Sequence, residues 1–241
     1  MCGRYTATTV DPGLIARRFA VSEAAIPGET LGRYNVCPTE PVLAVCGDGD
    51  AAAPEARALR WGLVPPWART LRGGPEPINA RAESLLSKRL FAPLVERAHR
   101  RCLVVADGWY EWLRPERPGG ARVPFRYTVD GGALFAFAGL WDERRVDGER
   151  LASVTVLTTA ANAVCAPVHD RMPCVLDSAE AEAAWLSADV DAAAALELLA
   201  PLEGARTAAA PANPAVNRAG VEGAELLTVP APGALEPARL F

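Results

Sequence analysis

Apolar positions recur along this chain in short runs whose spacing switches between two periods. "PVLAVC" (41–46) is nearly continuous and "EARALRWGL" (55–63) alternates, so the pair predicts two strands joined by a Gly/Asp/Ala/Pro turn as a hairpin. "RCLVVADGWYEWL" (101–113) predicts an apolar strand, a break at glycine and a second strand of alternating aromatics. "PFRYTVDGGALFAFAGLWD" (124–142) predicts a hairpin about Gly131-Gly132. "LASVTVLTTAA" (151–161) predicts a further strand, and "AELLTV" (224–229) a last one.

Helical signals lie between the strands. Asp11-Pro12 offers an N-cap and a first-turn proline to a helix through "GLIARRFA". "AESLLSKRLFAPLVERAHR" (82–100) predicts two short helices interrupted near Pro93. "AEAEAAWLSA" and "VDAAAALELLA" are rich in strong helix formers. Adjacent prolines keep "VPPWA" (64–68) out of regular structure, and "TAAAPANPAVN" (207–217) reads as a Pro/Ala loop. Residues 69–77 and 114–122 read as surface loops. Strands and short helices in no regular βαβ order indicate an α+β fold. We expect one domain spanning residues 1–241, with an antiparallel-rich curved sheet or open barrel flanked by short helices.

Composition adjusts this picture in three places. The net charge is −4, but residues 57–126 hold 14 Lys+Arg against 6 Asp+Glu, a local +8 that leaves −12 for the rest. That segment is either a solvated surface or a surface for an anionic ligand. No apolar run reaches the roughly 18 residues of a membrane span, and the N-terminus has no apolar leader, so the expectation is a cytoplasmic protein with reduced thiols. The six cysteines form no CxxC pair and there are two histidines, so neither a metal nor a cofactor is expected.

Candidate chemistry lies where polar residues interrupt apolar strands. Glu111 stands between Tyr110 and Trp112. It is either a buried acid or base with a raised pKa, or the outward position of a plain alternation, which the pattern alone favours. His169 lies in "PVHDRMPCVL", and Asn79 and Arg81 share one side of an extended "INAR". The most distinctive residue is Cys2. Removal of Met1 would expose a thiol and an α-amine on adjacent carbons, titrating near about 8.5 and about 7.7–8.0. An aldehyde meeting that pair forms a Schiff base, which the thiol closes to a thiazolidine.

Taken together, "MCGRY", "RWGLVPPWA", "INARAES", "ADGWYEW", "LTTAAN" and "VHDRMPCVL" resemble, in order, the signature segments of the SRAP family, whose members shield abasic sites in DNA. The resemblance covers nearly the whole chain. It implies loss of Met1 and capture by Cys2 of the ring-opened abasic aldehyde in single-stranded DNA. It further implies that Asn79 orients the amine and sugar, Glu111 acts as acid/base and His169 assists ring opening. Arg4, Arg81 and Arg171 would hold phosphates, Trp67 and Trp112 would stack on bases, and Thr159 would lie against the DNA. The implied partner is single-stranded DNA bound by a monomer, with no membrane. Strand cleavage through the Schiff base and self-removal of Met1 are implied side activities. Two other readings stand beside this one: a peptidase using an N-terminal cysteine, and a non-catalytic single-stranded DNA binder using the +8 segment. Leu113 departs from the family pattern where a basic residue is common. Cys37 and Cys174 stand where small or aliphatic residues are usual, and both read as core positions.

Overall fold

The computed structural model describes residues 2–47, 53–71, 76–115 and 122–229. Its strands are β1 (Arg4–Ala7), β2 (Arg33–Val36), β3 (Pro41–Cys46), β4 (Glu55–Trp61), β5 (Asn79–Arg81) and β6 (Arg101–Ala106). They continue with β7 (Gly108–Leu113), β8 (Val123–Val129), β9 (Phe135–Val146), β10 (Glu149–Ala160), β11 (Arg171–Pro173) and β12 (Thr207–Pro211). The helices are α1 (Pro12–Phe19), α2 (Ala92–Val95), α3 (Ala179–Leu186) and α4 (Ala192–Glu197). One sheet has the order β12-β8-β7-β1-β2. The other runs β11-β10-β4-β3-β6-β9, and β9 also pairs with β10, so these strands close on themselves. The expected α+β architecture with a barrel-like sheet is present.

Near-continuous apolar strands are explained by two cores. Val42, Ala44 and Cys46 of β3 face a cluster shared with Tyr5, Trp61, Trp109, Tyr127 and Phe137. Leu43 and Val45 face the other way, into a cluster with Ile15, Leu94, Val95 and Trp185 under the helices. A strand covered on both faces has no polar side, which is why "PVLAVC" does not alternate. Asp11 caps α1 by accepting the Leu14 N–H at 3.1 Å, as its sequence predicts.

Four expectations are corrected. The turn at Gly131-Gly132 exists, but its flanking strands do not pair: β8 joins the first sheet and β9 the second. Pro93 does not interrupt a helix. It lies in the first turn of α2, where its missing N–H costs nothing, and Ala82–Ser84 and Ala98–Arg100 are 3-10 turns. Residues 207–217 are not simply a loop, since β12 pairs with β8 and Pro214–Asn217 is a 3-10 turn. "AELLTV" is not a strand: Ala224–Leu227 is a 3-10 turn whose segment packs Leu226 inward. Of the two expected surface loops, residues 72–75 and 116–121 lie outside the described residues, and the described flanks carry no regular structure.

The corner between β6 and β7 ties the sheets together. Asp107, 4% exposed, accepts from Thr6 Oγ1 at 2.5 Å and from Thr8 N and Oγ1 at 2.6 Å each. Arg126 of β8 reaches the same carboxylate at 3.2 Å. A Cβ on the neighbouring Gly108 would lie 2.8 Å from the Tyr127 carbonyl oxygen, so only glycine fits there. Asp107→Ala leaves these donors and the Arg126 charge without an acceptor. It is expected to cost about 3–5 kcal/mol of unfolding free energy, read from the denaturant midpoint at unchanged m-value.

Candidate active site at the buried N-terminal cysteine

Cys2 is fully buried although it is the second residue of the chain. The reason is topological. β1 is an inner strand, hydrogen-bonded to β7 on one side and β2 on the other. Its register with β7 pairs Arg4 with Tyr110 and Thr6 with Gly108. Just before β1 begins, Cys2 turns into the main core, close enough to Glu111 of β7 to feel its charge. Asn79 Nδ2 donates to the Cys2 carbonyl at 2.7 Å, and the thiol donates weakly to the Arg4 carbonyl at 3.6 Å. β5 sets Asn79 by pairing in parallel with β10, opposite Val156.

Burial pushes the Cys2 thiol far above the usual thiol range, and the Glu111 charge adds to the rise. Glu111 is 4% exposed, so the outward reading that alternation favoured is overturned. Both faces of β7 are covered. Trp109 lies in the main core, whereas Tyr110 and Trp112 pack with Ala212 and Val216 of the C-terminal segment. Burial raises the Glu111 carboxyl, with the Asp170 charge adding to it. His169 is pulled below its ordinary value, first by burial. The Arg171 N–H donates to its Nδ1 at 2.9 Å, which places the proton of the neutral ring on Nε2. Asp170 Oδ1 lies 3.0 Å from that same nitrogen and favours the charged ring, but burial outweighs it.

Two groups that the sequence reading passed over join this neighbourhood. Burial and then the Glu111 charge push the Cys165 thiol up to about 12. Tyr127, directly opposite Trp109 across β7 and β8, is fully buried, and its phenol is raised by burial, Cys165 and Glu111 in that order. The signal was present in "PFRYTV": Phe125 and Tyr127 alternate in step with Trp109 and Glu111 of the partner strand. Among the described residues no group of three His, Cys, Asp or Glu is placed to hold a metal ion.

The six expected DNA contacts separate into distinct environments. Arg81 is exposed and its guanidinium makes no hydrogen bond or ion pair among the described residues, and Trp67 is 55% exposed on the proline-rich loop. Arg4 is committed internally, donating to Asn35 Oδ1 at 2.9 Å and to the Val216 carbonyl at 2.5 Å. Trp112 Nε1 donates to Asn217 Oδ1 at 2.5 Å. Arg171 grips Glu83 with two bonds of 2.6 and 2.8 Å. Thr159 is buried on β10 opposite Met172. Five of the fourteen Lys and Arg side chains of residues 57–126 are similarly spent. Arg57, Arg60, Arg100 and Arg126 are paired with acids. Arg101 is buried against the Val95 carbonyl at 2.9 Å and, more distantly, those of Trp185 and Ser187.

The family model described as SOS response associated peptidase (SRAP) matches residues 1–219. The chain belongs to this family. It is 38% identical over 189 residues to the abasic site processing protein YoqW of Bacillus subtilis, covering 78% of this chain and 80% of that one. It is 32% identical over 203 residues to the abasic site processing protein YedK of Escherichia coli, covering 83% and 86%. A crystal structure of a protein from Bacteroides thetaiotaomicron shares the fold at a TM-score of 0.79 and 22% identity, over 95% of this chain and all of that one. Another from Bordetella bronchiseptica, 28% identical, matches at a TM-score of 0.70 over 88% of this chain and 100% of that one.

The raised Glu111 pKa makes stability depend on pH. The folded chain holds this proton more tightly than the unfolded chain, whose carboxyl titrates near 4.5. The contribution is complete below that value and is lost as pH rises through the folded value. The stability difference between wild type and Glu111→Gln is therefore expected to change with pH above 4.5, by at most about 1.4 kcal/mol per unit, and to level off once Glu111 is ionised. Denaturant titrations of both proteins from pH 4 upward measure it, and a flat difference would contradict the assignment.

Proposed function

We propose that the chain, once relieved of Met1, captures abasic sites in single-stranded DNA by forming a thiazolidine between Cys2 and the ring-opened deoxyribose. The observation that carries this reading is the convergence of Asn79 and Glu111 on a buried residue 2. An acid/base and an amide donor are gathered around the one residue that processing would turn into an amino-thiol.

The steps follow from the groups present. His169, neutral with its proton on Nε2, gives that proton to the sugar ring oxygen as the C1–O bond of the cyclic hemiacetal breaks, and the proton leaving the anomeric hydroxyl as the aldehyde C=O forms replaces it, so the imidazole ends neutral. The Cys2 amine adds to the aldehyde carbon. Glu111 takes the proton released from nitrogen and returns it to the carbinolamine hydroxyl, which departs as water and leaves an imine. The Cys2 thiol then adds to the imine carbon, its proton passes to nitrogen, and the five-membered ring closes. Asn79 holds the Cys2 backbone so that amine and thiol face the same carbon. Its buried Oδ1, without a partner among the described residues, supplies an acceptor for the amine or a sugar hydroxyl. Strand cleavage is the competing fate of the imine, and early thiol closure suppresses it. Of the six expected contacts, Arg81 and Trp67 are the cation and aromatic best placed by exposure to meet phosphate and base. The setting is a monomer acting on DNA in the bacterial cytoplasm.

The test begins with the mass of the N-terminus, which should lack Met1. The protein is then incubated with a single-stranded oligonucleotide bearing one abasic site. A crosslink that survives heat, high salt and denaturant is expected. It should be absent with Cys2→Ala and slowed about 100-fold or more with Glu111→Gln. An undiminished crosslink with Cys2→Ala would overturn the reading. Turnover of peptides without any crosslink would establish the peptidase instead, and equal, salt-labile binding to intact strands would leave only a DNA binder.

A further inference from the structure

Tyr127 and Glu111 lie on neighbouring antiparallel strands, on the face turned to the core. The β7–β8 register pairs Trp109 with Tyr127 and Glu111 with Phe125, so Tyr127 and Glu111 are diagonal neighbours on that face. Diagonal neighbours of this kind lie about 7–8 Å apart, their Cβ atoms somewhat closer, within the reach of a tyrosine. The Tyr127 ring stacks on Trp109 with centroids 5.2 Å apart and planes inclined by 15°, which fixes its direction. Its hydroxyl is buried and has no hydrogen-bond partner among the described residues. An orphaned phenol O–H in a core costs about 1–3 kcal/mol, and phenylalanine would fill the same volume without that cost. Glu111 and Cys165 are the groups whose charges the phenol feels.

We propose that Tyr127 is a positioning residue for Glu111: in the processed protein its phenol O–H donates to the Glu111 carboxylate and holds it in the ionised, proton-accepting form. The proposal rests on the reading that Glu111 moves protons to and from the Cys2 amine. Each such transfer converts Glu111 between neutral and charged forms in a site that water does not solvate. A fixed donor offsets the burial that otherwise drives the carboxyl to stay protonated. The other groups facing Glu111 do not take this part. Cys2 and Cys165 are thiols and weak donors, Asp170 repels a carboxylate, His169 gives its Nε2 proton to the sugar in the proposed reaction, and the Cys2 α-amine is consumed by it.

Tyr127→Phe separates this part from a structural one. Carbon NMR titration of the Glu111 carboxyl in the processed protein, without DNA, should show its midpoint raised by about one pH unit in the variant. The acid limb of the crosslinking rate against pH should move up by the same amount, with the high-pH plateau preserved. In the unprocessed protein, where the hydroxyl has no partner among the described residues, the melting temperature should hold or rise. An unmoved Glu111 midpoint overturns the proposal, as does a loss of rate that is uniform across pH and accompanied by a lower melting temperature. If wild type forms no crosslink, the proposed function falls, while the carboxyl titration still decides whether Tyr127 tunes Glu111.

Discussion

The carboxylate of Asp107 collects donors from β1 and β8 at the corner where β6 turns into β7. This convergence adds a side-chain anchor to a four-residue strand that is otherwise held by its ladders to β7 and β2. β1 is short, begins almost at the chain terminus and still occupies the interior of a sheet. A terminal strand in an edge position would fray and expose Cys2 to water. Here the Asp107 bonds anchor its C-terminal end, Asn79 grips the Cys2 carbonyl, and the thiol is carried into the core. The burial of residue 2, on which the proposed chemistry depends, is therefore tied to how residues 6 and 8 are held.

The same geometry explains why the protonation states are unusual. A terminal cysteine in water titrates in the ordinary thiol range. Buried beside Glu111, its thiol stays protonated, and Glu111 itself is raised by the same lack of solvent. Two acidic groups that each disfavour the other's charge suit sequential proton movement, in which one is neutral whenever the other is charged. In the proposed reaction, an amine next to a carboxyl poised in this way is better served than one next to a permanently charged carboxylate, because the carboxyl can return the proton that water departure requires.

The sequence revealed the strands more reliably than their partners. The periods of β3, β4, β7 and β10 were readable, since burial on one or both faces leaves a local signature. Pairing was not readable where the partner is distant. The Gly131-Gly132 turn looks like a hairpin because a tight turn between two apolar runs usually is one, yet here it passes the chain between sheets. Residues 207–211 carry almost no strand signal in "TAAAP"; they are a strand because the free edge of β8 needs covering. Glu111 illustrates the limit for the site. Alternation placed it in water, because no local pattern announces that residues 212–216 return to cover the opposite face of β7. Tyr127 was legible only once β7 and β8 were known to be in register.

The arginines show how far composition can mislead about a binding surface. The surplus in residues 57–126 invites a broad anionic footprint, but five of its fourteen cations are spent within the fold. Arg171 holds Glu83 in a two-bonded pair, and transferring it to a phosphate would leave that carboxylate without its partner. Arg4 is similarly tied to Asn35 and Val216, with Asn217 joining Trp112 to the same segment. Such residues shape the walls of the site and reach a ligand only by exchanging one bond for another, which yields little net affinity. Arg81 has no such bond to surrender. It projects from the strand that also carries Asn79, so a phosphate held there would be in fixed register with the group that holds Cys2. In the proposed reaction, recognition and chemistry are therefore coupled through a three-residue strand, not through the overall charge of the surface.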